Sequence, residues 1–169
     1  MTNPSVDLEI APITENDYDG AAAAIASGLV FQWYGMTHPV ARDFVVRAAT
    51  DSIVVVARVG GRVVGVAIFR ADGPMPVRAY LRVLAVAEGS RGQGVGRALL
   101  RYVEEQAFQQ GPNLFLLCVD RNTDARRFYE REGYHLVGAL PDLGFEGITE
   151  LLYRKTLGPI RGYVPRSNG

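Results

Sequence analysis

Between Arg91 and Ala107 the chain reads RGQGVGRALLRYVEEQA, with three glycines in five residues running straight into helical periodicity. Glycine is the poorest helix former after proline, so a helix nucleating beside Gly92, Gly94 and Gly96 gives up stability at its start. A helix N-terminus carries unpaired N–H groups and about half a positive charge. Stripping side chains from the loop before it lets an anion reach those donors, which makes a phosphate cradle out of main chain. Arg91 before the loop and Arg97 one turn in add positive charge. A tight strand-to-helix turn that needs positive φ would account for one glycine; three in alternation exceed it. A nucleoside-triphosphate loop ends in Gly-Lys-Ser/Thr, whereas Gly96 is followed by Arg97 and Ala98. The dinucleotide pattern G-x-G-x-x-G also fails, because counting from Gly94 puts Leu99 at its third glycine. A different pyrophosphate is left.

The bulk numbers narrow the class. At 169 residues the chain is long enough for one domain with its own core. Lysine plus arginine equals aspartate plus glutamate at 18 each, so no global field recruits nucleic acid or an anionic membrane. Cys118 is the single cysteine, which excludes an intramolecular disulfide and a thiolate zinc cage, and no metal site is expected. The opening MTNPSVDLEI has neither the basic nor the apolar region of a signal peptide. No apolar run approaches the roughly 18 residues of a membrane span. The expectation is a soluble, cytoplasmic protein with neither nucleic acid nor membrane as partner.

The elements that must position the glycine loop follow from periodicity. Leu8 to Ile13 alternates as a short strand, and Thr14 offers an N-cap with Asp17 three residues on. Asp19 to Ser27 reads as an alanine-rich helix closed by Gly28. Val30 to Pro39, VFQWYGMTHP, reads as an aromatic loop by its glycine and proline. Val40 to Thr50 is helical again. Ser52 to Val59 and Val63 to Arg70 are β-branched runs joined by Gly60-Gly61, a strong hairpin signal. Ala71 to Pro76 is a turn cluster and Val77 to Ala87 a strand. From Val95 the apolar positions 95, 98, 99, 102, 103 and 107 line one helical face, and Gly111-Pro112 stops that helix. Leu114 to Val119 is nearly all apolar, as a strand buried on both faces would be. Asn122 to Arg131 is a second amphipathic helix ended by Gly133. Tyr134 to Leu140 and Ile148 to Leu157 are closing strands. The order is mixed α/β, an antiparallel N-terminal meander followed by strand–helix–strand, with residues 1–157 as a single domain and 158–169 as a loose tail.

Two stretches then resemble a known family. The run from Leu84 to Leu100, L-A-V-x4-R-G-Q-G-V-G-R-A-L-L, is similar to the acyl-CoA segment of the GNAT superfamily of N-acyltransferases. Its signature, Q/R-x-x-G-x-G/A, is matched by Arg91, Gly94 and Gly96. Asn122 to Tyr134, N-T-D-A-R-R-F-Y-E-R-E-G-Y, resembles the family block N-x-x-A-x-x-F/L-Y-x-x-x-G-F/Y on the helix after the fifth strand. A lone glycine loop is weak evidence, whereas both blocks at family spacing are strong. The resemblance implies a central mixed sheet of about six to seven strands flanked by about four helices. It also implies acetyl-CoA as co-substrate, splayed between the fourth and fifth strands. The pyrophosphate would sit on the amides of Gln93, Gly94, Val95 and Gly96, with Arg91, Gly92 and Arg97 beside them. The pantetheine arm would pair with Leu84, Ala85 and Val86, and a backbone N–H near that strand would stabilise the thioester oxyanion.

The same resemblance makes Tyr129 the acid that protonates the departing CoA thiolate, after direct attack of a primary amine through a tetrahedral intermediate. A phenol near pKa 10 is protonated at pH 7 and gives its proton slightly uphill to a thiol near 8.5. Tyr129 could instead simply pack on the sheet. Asn122 has two readings: it caps its helix, or it hydrogen-bonds the pantetheine arm. Arg126 and Arg127 could meet the CoA 3′-phosphate or be solvated helix charges, and Phe128 reads as core. The acceptor must lose a proton before attack. A lysine-like amine of pKa about 10.4 is neutral roughly once in 10³ molecules at pH 7, so a base would help. Relatives often carry a glutamate on the fourth strand, but Val77 to Val86 has none. Glu88, Asp120, Glu150 and His38 remain as candidates, as does a water chain, and no base is assigned.

The resemblance places the acceptor groove between Phe31 to His38 and Pro141 to Gly147. Phe31, Trp33, Tyr34 and Phe145 would form an aromatic wall there, and Asp142 and Glu146 would attract a cationic amine. The same aromatics could fill the sheet edge. Small amines, peptide N-termini and lysine side chains all stay open as acceptors, and the assembly could be a monomer or a homodimer. A rival of another class is a catalytically idle acyl-CoA-binding sensor, against which Tyr129 argues. Cys118 as nucleophile is disfavoured by a buried strand with no histidine nearby in sequence.

Overall fold

The computed structural model describes residues 7–72 and 79–165. Seven strands form one mixed sheet in the order β1-β2-β3-β4-β5-β7-β6. They are β1 (Leu8–Pro12), β2 (Ile53–Val59), β3 (Arg62–Arg70), β4 (Ala79–Val86), β5 (Asn113–Val119), β6 (His135–Pro141) and β7 (Thr149–Thr156). The helices are α1 (Tyr18–Ala26), α2 (Leu29–Trp33), α3 (His38–Asp51), α4 (Val95–Gln110) and α5 (Thr123–Arg131). Part of the expected strand Val77 to Ala87, and of the turn Ala71 to Pro76, lies outside the described residues. The mixed α/β class and the strand count agree with expectation.

The chain gathers into two units, one of residues up to Ile68 with Val83–Tyr102, the other of Phe69–Arg82 with Val103 onward. In the first unit β1 runs antiparallel to β2, from Leu8 opposite Val59 to Pro12 opposite Val55. The link between β2 and β3 places Gly60 at φ 55° and Gly61 at φ 76°. Both central residues of this turn are left-handed, which glycine alone adopts cheaply and which matches the twist of the flanking strands. Valines of β2 and β3 bury against Ala21, Ala22, Ala24 and Ile25 of α1 and Ala41, Val45 and Ala48 of α3. Alanine on the packed faces lets both helices lie close to the sheet.

The start of α1 is pinned by charge. Asp17 accepts hydrogen bonds from the Thr14 amide and hydroxyl, both at 2.7 Å, which closes the expected capping box. Arg58 on β2 grips the same carboxylate at 2.6 and 2.9 Å. These donors, Arg58 foremost, hold the Asp17 carboxyl down at about 2 despite its burial.

One element departs from expectation. The stretch read as a loop, Val30 to Pro39, contains the short helix α2 and the first turn of α3. Gly28 is extended and its carbonyl accepts from the Gln32 amide at 3.0 Å, which starts α2. Gly35, at φ 69°, follows the close of α2. Pro39 falls in the first turn of α3, where its missing N–H is no loss. Among the described residues five helices result where about four were expected.

In the second unit β4 runs parallel to β5 from Ala79 opposite Leu114 to Leu81 opposite Leu116. Strand β7 then returns antiparallel between β5 and β6. Gly133, at φ 89°, ends α5 and turns the chain into Tyr134. Tyr134 donates to Glu104 of α4 at 3.0 Å, and Lys155 of β7 reaches the same carboxylate at 2.7 Å. The segment after β7 is tied down by the Leu157 amide on the Pro112 carbonyl at 2.8 Å and by the Tyr163 hydroxyl on the Phe108 carbonyl at 2.7 Å. Among the described residues no helix is long and apolar enough to cross a membrane.

Candidate active site

The first unit carries the glycine loop. Strand β4 ends at Val86, a single 3-10 turn spans Glu88–Ser90, and Arg91 to Gly94 leads into α4. Gly92 and Gly94 stand at φ 74° and 85°. The loop geometry alone therefore requires two of the three glycines, and Gly96 is left over, already inside the helix. A Cβ on Gly92 or Gly94 would meet no atom within 4 Å, so the loop faces open space. The Ala98 amide donates to the Gly94 carbonyl at 3.0 Å, which makes Gly94 the N-cap. A glycine cap offers no side chain to the amides of the first turn.

Packing fixes where those amides are. A Cβ on Gly65 of β3 would fall 2.9 Å from Leu99 Cδ1 and 3.1 Å from both Val95 Cγ1 and the Ala85 carbonyl. The missing side chain at Gly65 lets the first turns of α4 press close on β3 at this point. Ala85 therefore directs its carbonyl toward β3, and the Ala87 amide donates to Val64 of β3 at 2.8 Å. Peptide groups alternate in direction along a strand, so those of Leu84 and Val86 point away from β3. The parallel register on that other edge stops at Leu81.

Arg91 behaves unlike a free phosphate ligand. Its Nε donates to the Val86 carbonyl at 3.2 Å, and Nη2 donates to the Ser27 carbonyl at 2.9 Å and Oγ at 3.4 Å. Gln93 Nε2 donates to the Gly89 carbonyl at 3.1 Å, so its side chain also braces the loop. Arg97 is exposed one turn into α4. Ser27 had no signal in the sequence beyond ending a helix.

The second unit carries the tyrosine. Asn122 Oδ1 accepts from the Ala125 amide at 3.2 Å, so the cap reading of Asn122 holds. Tyr129 is buried, with edge contacts to the rings of Phe128 at 5.3 Å and Tyr134 at 5.7 Å. Burial pushes its phenol well above the usual tyrosine range, and the charges of Cys118 and Tyr80 add to this. Tyr80 of β4, which no motif in the sequence marks, is itself raised by burial and by Glu150. Cys118 is buried, its thiol pushed up to about 12 chiefly by desolvation. That is an inert thiol and not a nucleophile.

The candidate bases scatter. Glu88 is exposed in the 3-10 turn. Asp120 holds one carboxylate oxygen buried without a described partner. Glu150, opposite Val119 on β7, acts electrostatically on both Tyr80 and Cys118. His38 Nε2 lies 3.1 Å from the Asp19 carbonyl, packed against α1. Arg126 is half-buried and donates to the Asp120 carbonyl at 3.2 Å and to the Tyr153 hydroxyl at 3.4 Å. Arg127 is exposed. Of the expected aromatic wall, Phe31 packs on the core of the first unit, whereas Trp33 and Phe145 are exposed. Asp142 turns its carboxylate onto the Gly147 amide at 2.6 Å. Among the described residues no group of three or more His, Cys, Asp or Glu side chains could hold a metal ion.

Known proteins resemble this chain in sequence and in fold. Over 85 residues the chain is 34% identical to a probable N-acetyltransferase of Mycobacterium tuberculosis, covering 49% of this chain and 47% of that one. The chain thus matches under half the length of that relative. A solved GNAT-family structure from Desulfovibrio desulfuricans superimposes with a TM-score of 0.74 at 24% identity, over 89% of this chain and 99% of the other. An aminoglycoside 6′-N-acetyltransferase solved with coenzyme A gives 0.72 at 19% identity, over 89% and 98%. These two show the same fold. The model of the acetyltransferase (GNAT) family matches residues 22–134, from α1 through the glycine loop to the end of the Tyr129 block. The chain belongs to the GNAT family.

Proposed function

We propose that the chain is an N-acetyltransferase that moves an acetyl group from acetyl-CoA to a primary amine. The observation that carries this reading is the bare start of α4: a glycine N-cap, left-handed glycines at 92 and 94, and open space before them. The amides of Gln93, Gly94, Val95 and Gly96 would bind the pyrophosphate there, favoured by the helix dipole. Leu84 and Val86 direct peptide groups away from β3, which suits pairing with the pantetheine arm. The acetyl thioester supplies the electrophile. A backbone N–H of this strand would stabilise the oxygen that gains charge during direct attack.

Tyr129 is the proposed acid. Its raised phenol is a weaker acid than free tyrosine, but the same burial disfavours a bare thiolate leaving group. A neutral donor beside a desolvated thiolate keeps the proton transfer near balance. Cytoplasmic location is the accompanying proposal, since the one cysteine is buried and asks for no oxidising compartment.

The test is calorimetry with coenzyme A followed by CoA release from acetyl-CoA across a panel of amines at several pH values. Binding with amine-dependent release supports the transferase. Binding with no release from any amine supports the idle sensor, and absence of binding removes both.

A further inference from the structure

We propose that Arg91 is a positioning strut, tying the glycine loop to the junction of α1 and α2, and that coenzyme A binding is relayed through it to α2. This rests on the acetyltransferase reading for the ligand, but not for the strut itself. The guanidinium sits on the carbonyl of Val86, the last residue of β4, and on the carbonyl and hydroxyl of Ser27, the C-cap of α1. The Arg91 amide also holds the 3-10 turn, on the Glu88 carbonyl at 3.3 Å.

The position on Ser27 is favourable for a cation. Helix C-termini carry unpaired carbonyls and partial negative charge, and an arginine there satisfies both. Ser27 is followed directly by Gly28, whose carbonyl starts α2, and α2 is further tied back by Gln32 Nε2 on the Ala26 carbonyl at 2.9 Å. One side chain thus joins the end of β4, the loop before α4 and the segment Leu29–Trp33. Two of its nitrogens already serve backbone carbonyls, so it cannot also present that edge of the fork to a phosphate. An ordered loop fixes Arg91, Arg91 fixes Ser27, and Ser27 fixes the start of α2.

Hydrogen exchange of the full chain, with and without coenzyme A, separates a strut from a phosphate ligand in the variants Arg91→Lys and Arg91→Ala. Lysine keeps the charge but cannot place two separate N–H groups on Val86 and Ser27. Without ligand, amides of 28–35 should exchange on the order of fivefold faster in both variants, the equivalent of one net hydrogen bond. In the wild type, coenzyme A should slow exchange in both 92–97 and 28–35. In Arg91→Lys it should still slow 92–97 but no longer 28–35. Unchanged exchange at 28–35 in the unliganded variants overturns the strut, and so does ligand protection of 28–35 that survives in Arg91→Lys. Full rescue by lysine, together with a weaker salt dependence of binding in Arg91→Ala, would identify a direct phosphate contact and overturn it as well. Should coenzyme A protect nothing in the wild type, the acetyltransferase reading and the relay fail together, while the unliganded comparison still decides the strut.

Discussion

Two helices of this fold follow parallel neighbours in the sheet and begin in opposite ways. Helix α5 follows β5 and is closed by a side chain, Asn122 Oδ1 on the Ala125 amide. Helix α4 follows β4 and opens on Gly94, which has no side chain to give. The 3-10 turn Glu15–Asp17 that leads into α1 is closed in a similar way, with Thr14 and Asp17 completing a capping box. A cap stabilises a helix by about 1 kcal/mol, and the chain takes it at α5 but forgoes it on α4, whose 16 residues make it the longest described helix. The difference teaches that first-turn donors closed by a side chain are spent on the fold, whereas those left open at α4 are free for the ligand proposed there.

The largest expected effect comes from the closed helix, because it carries Tyr129, the proposed proton donor. Tyr129→Phe should lower kcat by about 10²–10⁴ and leave coenzyme A affinity unchanged by calorimetry. The pH profile carries a second mark. Free tyrosine loses its proton near 10, and burial moves Tyr129 above that. Since the raised group keeps its proton longer, the alkaline fall of kcat that it governs should lie above pH 10. A fall centred below 9 would assign that limb to another group.

Next in size is the conversion of the open start into a closed one. Gly94→Asp would put a carboxylate where α5 has its asparagine amide, satisfying first-turn amides and repelling phosphate. Coenzyme A should bind about 10- to 100-fold more weakly, from one or two charged hydrogen bonds lost. Gly94→Asn should cost less, since it caps without charge. Both residues tolerate positive φ better than other side chains, so circular dichroism should show a folded protein. Wild-type affinity in Gly94→Asp would mean that these amides hold no ligand.

These contrasts also show what the sequence could reveal. The glycine loop and the Tyr129 block were legible because each is contiguous and dictated by local backbone demands, such as φ at Gly92 and Gly94. Strands were legible where alternation or β-branching was strong, as in β2 and β3. Helix α2 was missed because one turn of helix shows no periodicity and its residues, Phe31 and Trp33, read as loop aromatics beside Gly35 and Pro39. The bonds from Arg91 to Ser27 and from Arg58 to Asp17 cross 64 and 41 residues of chain, and no local pattern encodes such partners. A lone arginine in a glycine motif looks the same whether it faces a phosphate or a carbonyl.

A smaller effect tests the closed start of α1. The Asp17 carboxyl moves from 3.8 down to about 2 on folding, so its contribution is complete above the unfolded value and fades as pH falls toward 2. The stability at stake is about 2 kcal/mol. Urea unfolding between pH 2 and 6 should show this loss in the wild type. Asp17→Asn should remove the pH-dependent part and lower stability most near pH 6, with the deficit shrinking toward pH 2, because Arg58 is left largely buried with only Glu9, at 3.4 Å, as its anion.

The smallest effect sharpens the comparison at α5 itself. Removing the cap in Asn122→Ala should lower stability by about 1 kcal/mol. Asn122→Asp restores an oxygen acceptor for the Ala125 amide and places charge favourably at a helix start, so stability should return. The amide nitrogen, Nδ2, does not return. If Asn122 only caps, Asn122→Asp should recover KM for acetyl-CoA along with stability. If Nδ2 also donates to the pantetheine arm, stability recovers and KM does not. Steady-state kinetics beside urea unfolding on these two variants thus separates a helix start that serves the fold alone from one that shares its cap with the ligand.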